Sequence, residues 1–157
     1  MNIKYVSSPI GFFQSTYSDL GLRELRFFKS IQPEYPHDSS LQKYINQFFS
    51  PKGLDSLPEI DLIGTDFQLK VWNALCQISR GATESYLSIA KQIGSPGAFR
   101  AVGTACKINP VPIFIPCHRV IASDGSMGGY GGGLLLKTRL LALEEKVLAY
   151  NAILRKE

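Results

Sequence analysis

The first part of the chain alternates between apolar runs and turn-forming residues. The runs 2–6, 12–18 and 22–28 are rich in aromatic and β-branched residues, and the turn-forming segments 7–11 and 19–21 separate them. Strands joined by such short turns pair with their neighbours in sequence. The pattern therefore predicts an antiparallel meander of three strands.

A helical period replaces this alternation after the meander. Ser40 is the predicted N-cap of a helix, and apolar residues follow at the spacing of one helix face: Leu41, Tyr44, Ile45, Phe48 and Phe49. The segment 51–64 then contains two prolines and two glycines without a clear period, which is typical of a linker. We therefore expect one domain over residues 1–60 and a second over 65–157.

Three further helices are predicted in the next part of the chain. Thr65 and Gln68 form a capping-box pattern at the start of the first, which runs to about residue 80. Ser85 and Gly94 bound the second, and the Ser-Pro pair after Gly94 has the residue types that begin the third. Two short helices joined by a tight turn are typical of a helix-turn-helix, although an ordinary corner between helices has the same local pattern.

The third of these helices has an unusual composition. Small residues surround its one arginine, Arg100, and they are Ala98, Ala101, Gly103 and Thr104. Glycine inside a helix costs about 1 kcal/mol relative to alanine, so a close approach to this helix must offset the loss. Another helix and a large ligand such as DNA both satisfy that requirement.

Composition narrows the class of protein. Of the 157 residues 45% are apolar and 11% aromatic, which excludes an intrinsically disordered chain. No stretch reaches the ~18 apolar residues of a membrane span, and residues 1–11 lack the apolar core of a secretory signal. We therefore expect a cytoplasmic protein without membrane association.

Charge and cysteine content add two expectations. Residues 1–64 hold 6 basic and 7 acidic residues, whereas residues 65–157 hold 11 and 6, which favours a polyanionic partner for the second part. The three cysteines are odd in number and widely spaced, which is typical of a reducing compartment and not of a disulfide framework. Because zinc-type spacings are missing from the sequence, we expect neither a metal site nor a cofactor.

The segment 109–121 carries the most distinctive chemistry. It is apolar and contains three prolines, which exclude a regular helix and a central strand and predict a buried, stiff loop. Cys117 follows a proline, a residue that favours a helix start, and a cysteine at a helix N-terminus has a lowered pKa. The adjacent His118 is able to take the thiol proton through a water molecule. The alternative is an inert core cysteine, as we expect of Cys76 and Cys106.

A carboxylate is available to orient this histidine. The last helix is predicted from about Leu134 to Leu154, and its apolar stripe consists of Leu136, Leu140, Leu143 and Val147. Glu144 lies beside that stripe, where a carboxylate needs a partner. His118 is the natural partner, because an acid that orients an imidazole helps it to activate a thiol.

With these residues, the second part of the chain resembles the catalytic domain of O6-alkylguanine-DNA alkyltransferases, also called methylated-DNA–protein-cysteine methyltransferases. The hexapeptide Ile-Pro-Cys-His-Arg-Val at 115–120 is the most specific element of the resemblance. The helix-turn-helix region 85–103, Asn109-Pro110, the loop 129–132 and the segment from Lys137 to Glu144 accompany it at consistent spacing. The resemblance extends over residues 65–144.

The resemblance implies an α+β protein. Its N-terminal domain would be a small ribonuclease-H-like αβ domain, and its C-terminal domain a helical, winged-helix-like domain that contains the helix-turn-helix. It implies DNA repair by single-turnover transfer of an alkyl group from O6 of guanine, and less readily O4 of thymine, to Cys117. The implied partner is double-stranded DNA with alkylated guanine, bound by a monomer through the minor groove without sequence preference.

The roles of family residues carry over to the matching positions. Cys117 is the implied nucleophile and His118 its water-mediated base. Glu144 orients His118, and Asn109 braces the segment that carries Cys117. The implied base-binding residues are Tyr86, Val120, Tyr130 and Gly131. The implied DNA-binding residues are Arg100, which replaces the flipped base, and Ala98, Ala101, Gly103, Thr104 and Ser123.

The sequence departs from some relatives. Residues 1–64 contain no cysteine and one histidine, so the zinc site of some relatives is not expected. Position 131 is glycine where the family often has serine, which keeps the backbone donor but not the stiffer loop. Two competing hypotheses are a non-catalytic sensor of alkylated DNA and a cysteine hydrolase. Sensor relatives have tryptophan at the nucleophile position, so Cys117 argues against the first.

Overall fold

The computed structural model describes residues 2–30 and 34–156, and side chains as far as residue 145. The chain divides into two compact units, Met1–Leu62 with Lys146–Glu157 and Ile63–Glu145. Within the described residues, five helices and two small sheets confirm the predicted mixture of α and β structure.

Three antiparallel strands open the first unit. They are β1 (Asn2–Ser8), β2 (Gly11–Tyr17) and β3 (Leu22–Phe28), in the order β1-β2-β3, as the apolar runs predict. The register pairs Val6 with Phe13 and Phe13 with Phe27, so these side chains share one face of the sheet. The sheet packs against α1 (Ser39–Phe49), and the buried apolar residues are Val6, Phe13, Leu22, Leu25, Leu41, Ile45 and Phe48.

The N-cap of α1 is Asp38 and not Ser40. The Asp38 carboxylate accepts a hydrogen bond from the Leu41 backbone N–H at 3.0 Å. Serine and aspartate are both good N-caps, so the residue types alone do not separate the two positions. The carboxylate also accepts hydrogen bonds from Ser15 Oγ at 2.9 Å and from the Tyr17 hydroxyl at 2.5 Å. These contacts join the start of the helix to β2.

Four helices build the second unit. They are α2 (Asp66–Leu75), α3 (Tyr86–Gln92), α4 (Phe99–Lys107) and the first turns of α5 (Leu134–Lys156). The two-residue strands β4 (Glu84–Ser85) and β5 (Val120–Ile121) pair in parallel. The prolines of the segment 109–121 exclude a central strand, and β5 is an edge strand of a two-stranded sheet that begins after the last proline, where backbone N–H groups are again available. The core includes Val71, Trp72, Leu75, Ile89, Val102, Val111 and Leu140.

The helices α3 and α4 contact each other across a tight turn. As predicted, Ser85 caps α3 by accepting from the Ser88 N–H at 3.0 Å, and Gly94 follows with a left-handed φ of 78°. The predicted helical start at the Ser-Pro pair is confirmed, with Ser95 at the N-cap and proline at N1, but its first turn, Pro96–Ala98, is a 3-10 turn and α4 begins after it. The predicted end of α2 near residue 80 is wrong, since i→i+3 hydrogen bonds replace the helical pattern after Leu75.

The last helix buries residues at intervals of four. Leu136, Leu140 and Glu144 lie on one face, and each is 7% exposed or less. The predicted stripe residue Leu143 is half-buried, and Val147 lies outside the residues whose side chains are described. Among the described residues, no helix is both long and apolar enough to cross a bilayer.

Candidate active site

Cys117 lies in a buried loop that Asn109 braces. The Asn109 Nδ2 donates to the Ile115 carbonyl at 2.8 Å and lies 3.1 Å from Cys117 Sγ. The Asn109 Oδ1 accepts from the Val111 N–H at 2.9 Å. One amide side chain therefore spans the loop and contacts the sulfur, while the cysteine itself is 4% exposed.

Burial dominates the acidity of the Cys117 thiol. The lowered pKa predicted from a helix N-terminus is wrong, because desolvation raises the pKa of this thiol to about 11. Cys117–Arg119 is a three-residue 3-10 turn, too short to align the peptide dipoles of a helix. Contacts with Asn109, Lys137 and Tyr130 lower the thiol pKa by less than burial raises it. The thiol is therefore protonated at neutral pH, so a nucleophilic reaction needs a neighbouring base.

His118 and Glu144 lie in direct contact, as their pairing in the sequence analysis anticipates. His118 Nε2 is 2.7 Å from Glu144 Oε1, and both side chains are buried. Burial opposes ionisation of Glu144, but hydrogen bonds from His118 and Arg119 lower the pKa of this carboxyl to about 2. An ionised carboxylate accepts the Nε2 proton, so the lone pair of a neutral imidazole lies on Nδ1. Burial lowers the pKa of His118, which favours that neutral form.

Arg119 is a second partner of the Glu144 carboxylate, and no role was predicted for it from the sequence. Its Nε lies 3.1 Å from both carboxylate oxygens of Glu144, and its Nη2 lies 2.8 Å from Oε1. Its Nη1 donates to the Ile78 carbonyl at 2.8 Å. The sequence signal that could have identified this contact is the arginine directly after His118, because a buried carboxylate such as Glu144 requires a positive charge nearby.

Lys137 is buried and donates to three backbone carbonyls. Its Nζ lies 2.5 Å from the Val120 oxygen and 3.2 Å from the Gly129 oxygen, and it also contacts the Met127 carbonyl. The Val120 carbonyl therefore already accepts one hydrogen bond and keeps a second lone pair for a ligand. Lys137 belongs to the family pattern, but that pattern implied no role for it.

Tyr86 lies against the glycine-rich loop and α4. Its hydroxyl donates to the Gly129 carbonyl at 3.3 Å. A Cβ added at Gly128 would lie 2.6 Å from that hydroxyl oxygen, so this position requires glycine. A Cβ added at Gly103 would lie 3.8 Å from the ring. That distance is an ordinary van der Waals contact, so the packing of Tyr86 does not itself require glycine in α4.

The loop residues Tyr130 and Gly131 both lie close to other parts of the second unit. The Tyr130 hydroxyl interacts with the Cys117 sulfur. A Cβ added at Gly131 would lie 2.8 Å from the Lys107 carbonyl oxygen, so serine would not fit here without a shift of the backbone. This contact gives a physical reason for the glycine at a position where relatives often have serine.

The implied DNA-binding residues are accessible. In and around α4, Arg100, Ala101 and Thr104 are exposed, and Ala98 and Gly103 are half-buried. Ser123 is exposed on the loop after β5. Phe99, to which no residue pattern points, is 44% exposed, and its ring centroid lies 6.0 Å from the Arg100 guanidinium.

The two remaining cysteines differ in their exposure to solvent. Cys76 is exposed, so its predicted place in the core is wrong, because α2 ends one residue earlier and Cys76 is its C-cap. Cys106 is buried, and burial raises the pKa of its thiol to about 12. In the described part of the chain, no three histidine, cysteine or acidic side chains are grouped as metal ligands.

Comparisons with known proteins show the family of this chain. A family model described as the DNA-binding domain of 6-O-methylguanine DNA methyltransferase matches residues 66–146. A methylated-DNA–protein-cysteine methyltransferase of Methanosarcina barkeri is 43% identical over 156 residues, covering 91% of this chain and 96% of that protein. The protein of the same name from Mycobacterium tuberculosis is 40% identical over 153 residues, covering 92% and 93%. The crystal structure of Mycobacterium tuberculosis OGT in complex with DNA has a TM-score of 0.82 at 39% identity and covers 94% of each chain.

Proposed function

Because the chain belongs to the 6-O-methylguanine DNA methyltransferase family, we propose that it repairs DNA by transferring an alkyl group from O6 of guanine to its own Cys117. It is then a methylated-DNA–protein-cysteine methyltransferase. The observation that carries this proposal is the position of the cysteine directly before His118, whose Nε2 lies 2.7 Å from the ionised Glu144. This is an arrangement that removes a proton from a buried thiol.

The chemical step is a displacement at the alkyl carbon. The bond from that carbon to Cys117 Sγ forms as its bond to O6 breaks, and the thiol proton passes through a water molecule to Nδ1 of His118. Glu144 retains the hydrogen bond to Nε2 and stabilises the imidazolium that results. The product is S-alkylcysteine, a thioether that does not hydrolyse, so each protein molecule reacts once.

The guanine leaves with an electron pair that the pocket must stabilise. The Tyr86 hydroxyl donates to a ring nitrogen and the Gly131 N–H to O6, while the carbonyls of Cys117 and Val120 accept from the exocyclic amine. Burial raises the pKa of Tyr86, which supports a role as donor because the phenol keeps its proton. Tyr130 forms a wall of the pocket beside the sulfur. O4-alkylthymine presents fewer of these groups and reacts less readily.

The alkylated base must leave the stack before it reaches Cys117. Flipping a nucleotide costs a few kcal/mol, and less for a damaged base. Arg100 occupies the vacated space, while the small residues Ala98, Ala101, Gly103 and Thr104 let α4 enter a minor groove only ~6 Å wide. The accessibility of this surface supports double-stranded DNA as the partner. Because the minor groove carries a degenerate code, binding is independent of sequence, and Ser123 contacts the backbone.

The finer architecture belongs to the same proposal. The meander followed by α1 supports a ribonuclease-H-like N-terminal domain over residues 1–60. The contact between α3 and α4, with the β4–β5 pair before and after them, supports a winged-helix-like C-terminal domain over 65–157 that contains a helix-turn-helix. We propose a monomer, because one Cys117 and one α4 complete the reaction. Three free cysteines support a reducing, cytoplasmic location.

Incubation with a duplex that contains one O6-methylguanine tests the proposal. We expect the mass of the peptide carrying Cys117 to increase by one methyl group, with at most one methyl per protein molecule. Cys117→Ala should bind the duplex and gain no methyl, whereas the control Cys106→Ala should react normally. Binding without a mass gain by the native protein would instead indicate a lesion sensor. Repeated turnover of an ester without DNA would indicate a cysteine hydrolase.

Arg100 tests the flipping step separately from the chemical step. Because Arg100→Ala removes the residue that stabilises the vacated stack, we expect at least about a tenfold slower transfer from duplex O6-methylguanine. Transfer from free O6-benzylguanine, which needs no flipping, should change by less than about twofold. Lys91→Ala removes an exposed positive charge from α3 and serves as the control. Equal losses on both substrates would exclude the flipping role of Arg100.

A further inference from the structure

We propose that Arg119 is a positioning residue that gives Glu144 a permanent positive partner and so leaves His118 neutral and able to act as the base. This inference rests on the proposed alkyl transfer for the role of His118. It adds a residue that acts through the His118–Glu144 pair and not by contact with the substrate.

Two side chains donate to the Glu144 carboxylate, and the Gly81 backbone N–H lies 3.5 Å from its Oε2. Oε1 contacts His118 Nε2 at 2.7 Å and Arg119 Nη2 at 2.8 Å, and Arg119 Nε lies 3.1 Å from both oxygens. Such a planar guanidinium contact fixes both the position and the rotation of a carboxylate. The hydrogen bond from Nη1 to the Ile78 carbonyl holds the opposite side of the guanidinium. Arg119 therefore connects the turn after α2 to α5 and leaves Oε1 facing the imidazole.

The charges at this buried site require a cation that does not titrate. The side chains of His118 and Glu144 are 0% and 1% exposed, and an ionised carboxylate at such depth costs several kcal/mol unless it is paired. If His118 were the main cationic partner, the imidazole would carry both protons and would have no lone pair for the thiol proton. Arginine does not lose its proton in proteins, so Arg119 satisfies the carboxylate while the imidazole stays neutral.

The other positively charged groups around the pair also disfavour a proton on His118 or stabilise the Glu144 carboxylate. Lys137 on α5 and Arg119 disfavour a proton on His118, as burial does, whereas Glu144 on α5 favours it. Arg80, in the segment after α2, interacts electrostatically with Glu144. Cys117 precedes His118 in the 3-10 turn, and burial keeps its thiol neutral. With Arg119 present, the carboxylate is thus neutralised without a proton on His118.

The pH dependence of alkyl transfer tests this role. In Arg119→Met the imidazole becomes the cationic partner of Glu144, so we expect the acid limb of the rate profile to move up by at least about one pH unit. On that limb the rate falls about tenfold, and it recovers at higher pH. Arg119→Lys keeps the charge and should move the limb by less than about half a unit. Transfer from free O6-benzylguanine excludes effects on DNA binding. Arg139→Met, which removes an exposed arginine from α5, is the matched control.

An NMR titration of the imidazoles gives a readout that needs no reaction. The chain has two histidines, so the signals of His118 are assigned by comparison with a His37→Gln variant. We expect His118 to stay neutral in the native protein as the pH falls through about 6.5, the ordinary pKa of an imidazole, and to titrate at higher pH in Arg119→Met than in the native protein. If Arg119→Met does not fold, Arg119→Gln takes its place in both measurements, because it also removes the charge but keeps a planar hydrogen-bonding group.

Three results would overturn the role of Arg119. They are a native His118 that is already protonated at about pH 6.5, an unchanged His118 titration in Arg119→Met, and equal rate losses at every pH. Failure of the native protein to take up an alkyl group would refute the proposed function instead, and it would leave the titration result intact.

Discussion

Each unit buries a carboxylate, and the two carboxylates have different kinds of partner. Asp38 and Glu144 are both 1% exposed. Asp38 accepts hydrogen bonds from two hydroxyl groups and one backbone N–H, whereas Glu144 contacts an imidazole and a guanidinium. Neutral hydroxyl and amide donors do not exchange protons near neutral pH, but an imidazole does. Equal burial therefore accompanies a structural role in one unit and a chemical role in the other.

The origin of the partners along the chain supports this distinction. Ser15 and Tyr17 come from β2, and the N–H of Leu41 comes from the first turn of α1, so Asp38 joins two elements of the fold. The partners of Glu144, His118 and Arg119, directly follow Cys117 in sequence. A buried carboxylate thus indicates a candidate site when its partners are titratable and adjoin a nucleophile.

Glu144→Gln should have the largest effect on activity. The amide keeps the shape of the side chain but loses the charge that stabilises the imidazolium. We therefore expect alkyl transfer from free O6-benzylguanine to slow by about 10²-fold or more, the usual contribution of a general base. Single-turnover rates on folded protein measure the effect. A loss below about threefold would mean that His118 acts without Glu144.

Asp38→Ala should affect stability and leave the reaction unchanged. The substitution removes the N-cap of α1 and leaves buried hydroxyl groups without their acceptor, so we expect unfolding to become easier by about 1–3 kcal/mol. The transfer rate of the folded fraction should stay within about twofold, since general-base chemistry does not involve Asp38. Urea denaturation and single-turnover rates provide the two measurements. A specific loss of rate would contradict the structural role.

Ser40→Ala is the matched control for this cap. Ser40 is the N-cap that the sequence predicts, but it is exposed and lies inside α1. Its removal should therefore change the free energy of unfolding by less than about 0.5 kcal/mol, as for other exposed positions. A larger cost than that of Asp38→Ala would mean that the helix begins at the sequence-predicted position.

Much of the fold follows from residue patterns because those patterns are local. The meander, the caps at Thr65 and Ser85 and the left-handed Gly94 depend on neighbours a few residues away. The cap of α1 was mispredicted because two good capping residues lie close together, and contacts with β2 decide between them. The C-terminal end of α2 and the start of α4 differ from the predicted positions because 3-10 turns are frequent at the ends of helices.

The candidate site was predictable in its residues but not in its energetics. The hexapeptide identifies Cys117 and His118, and the apolar stripe of α5 identifies Glu144 as a carboxylate that needs a partner. The acidity of the thiol was mispredicted, because the depth of burial is a tertiary property that no local pattern contains. Arg119 was overlooked for the same reason, since its contact with α5 forms only in the folded chain.

Tyr17→Phe should have a smaller effect than Asp38→Ala, and it gives the finest test of the contrast. It removes one hydrogen bond to Asp38, which keeps its contacts with Ser15 and Leu41, so we expect a loss of about 0.5–1.5 kcal/mol at pH 7. Burial, reinforced by Asp38, raises the pKa of Tyr17 above its ordinary value of 10.0. A raised folded-state pKa contributes stability below pH 10.0 that is lost as the pH rises further, because only the unfolded chain then ionises this phenol. The stability difference between the native protein and Tyr17→Phe should therefore shrink above that pH. Denaturation curves at pH 7 and at alkaline pH measure this difference, and a gap that stays constant would mean that Asp38 does not hold Tyr17 as a neutral donor.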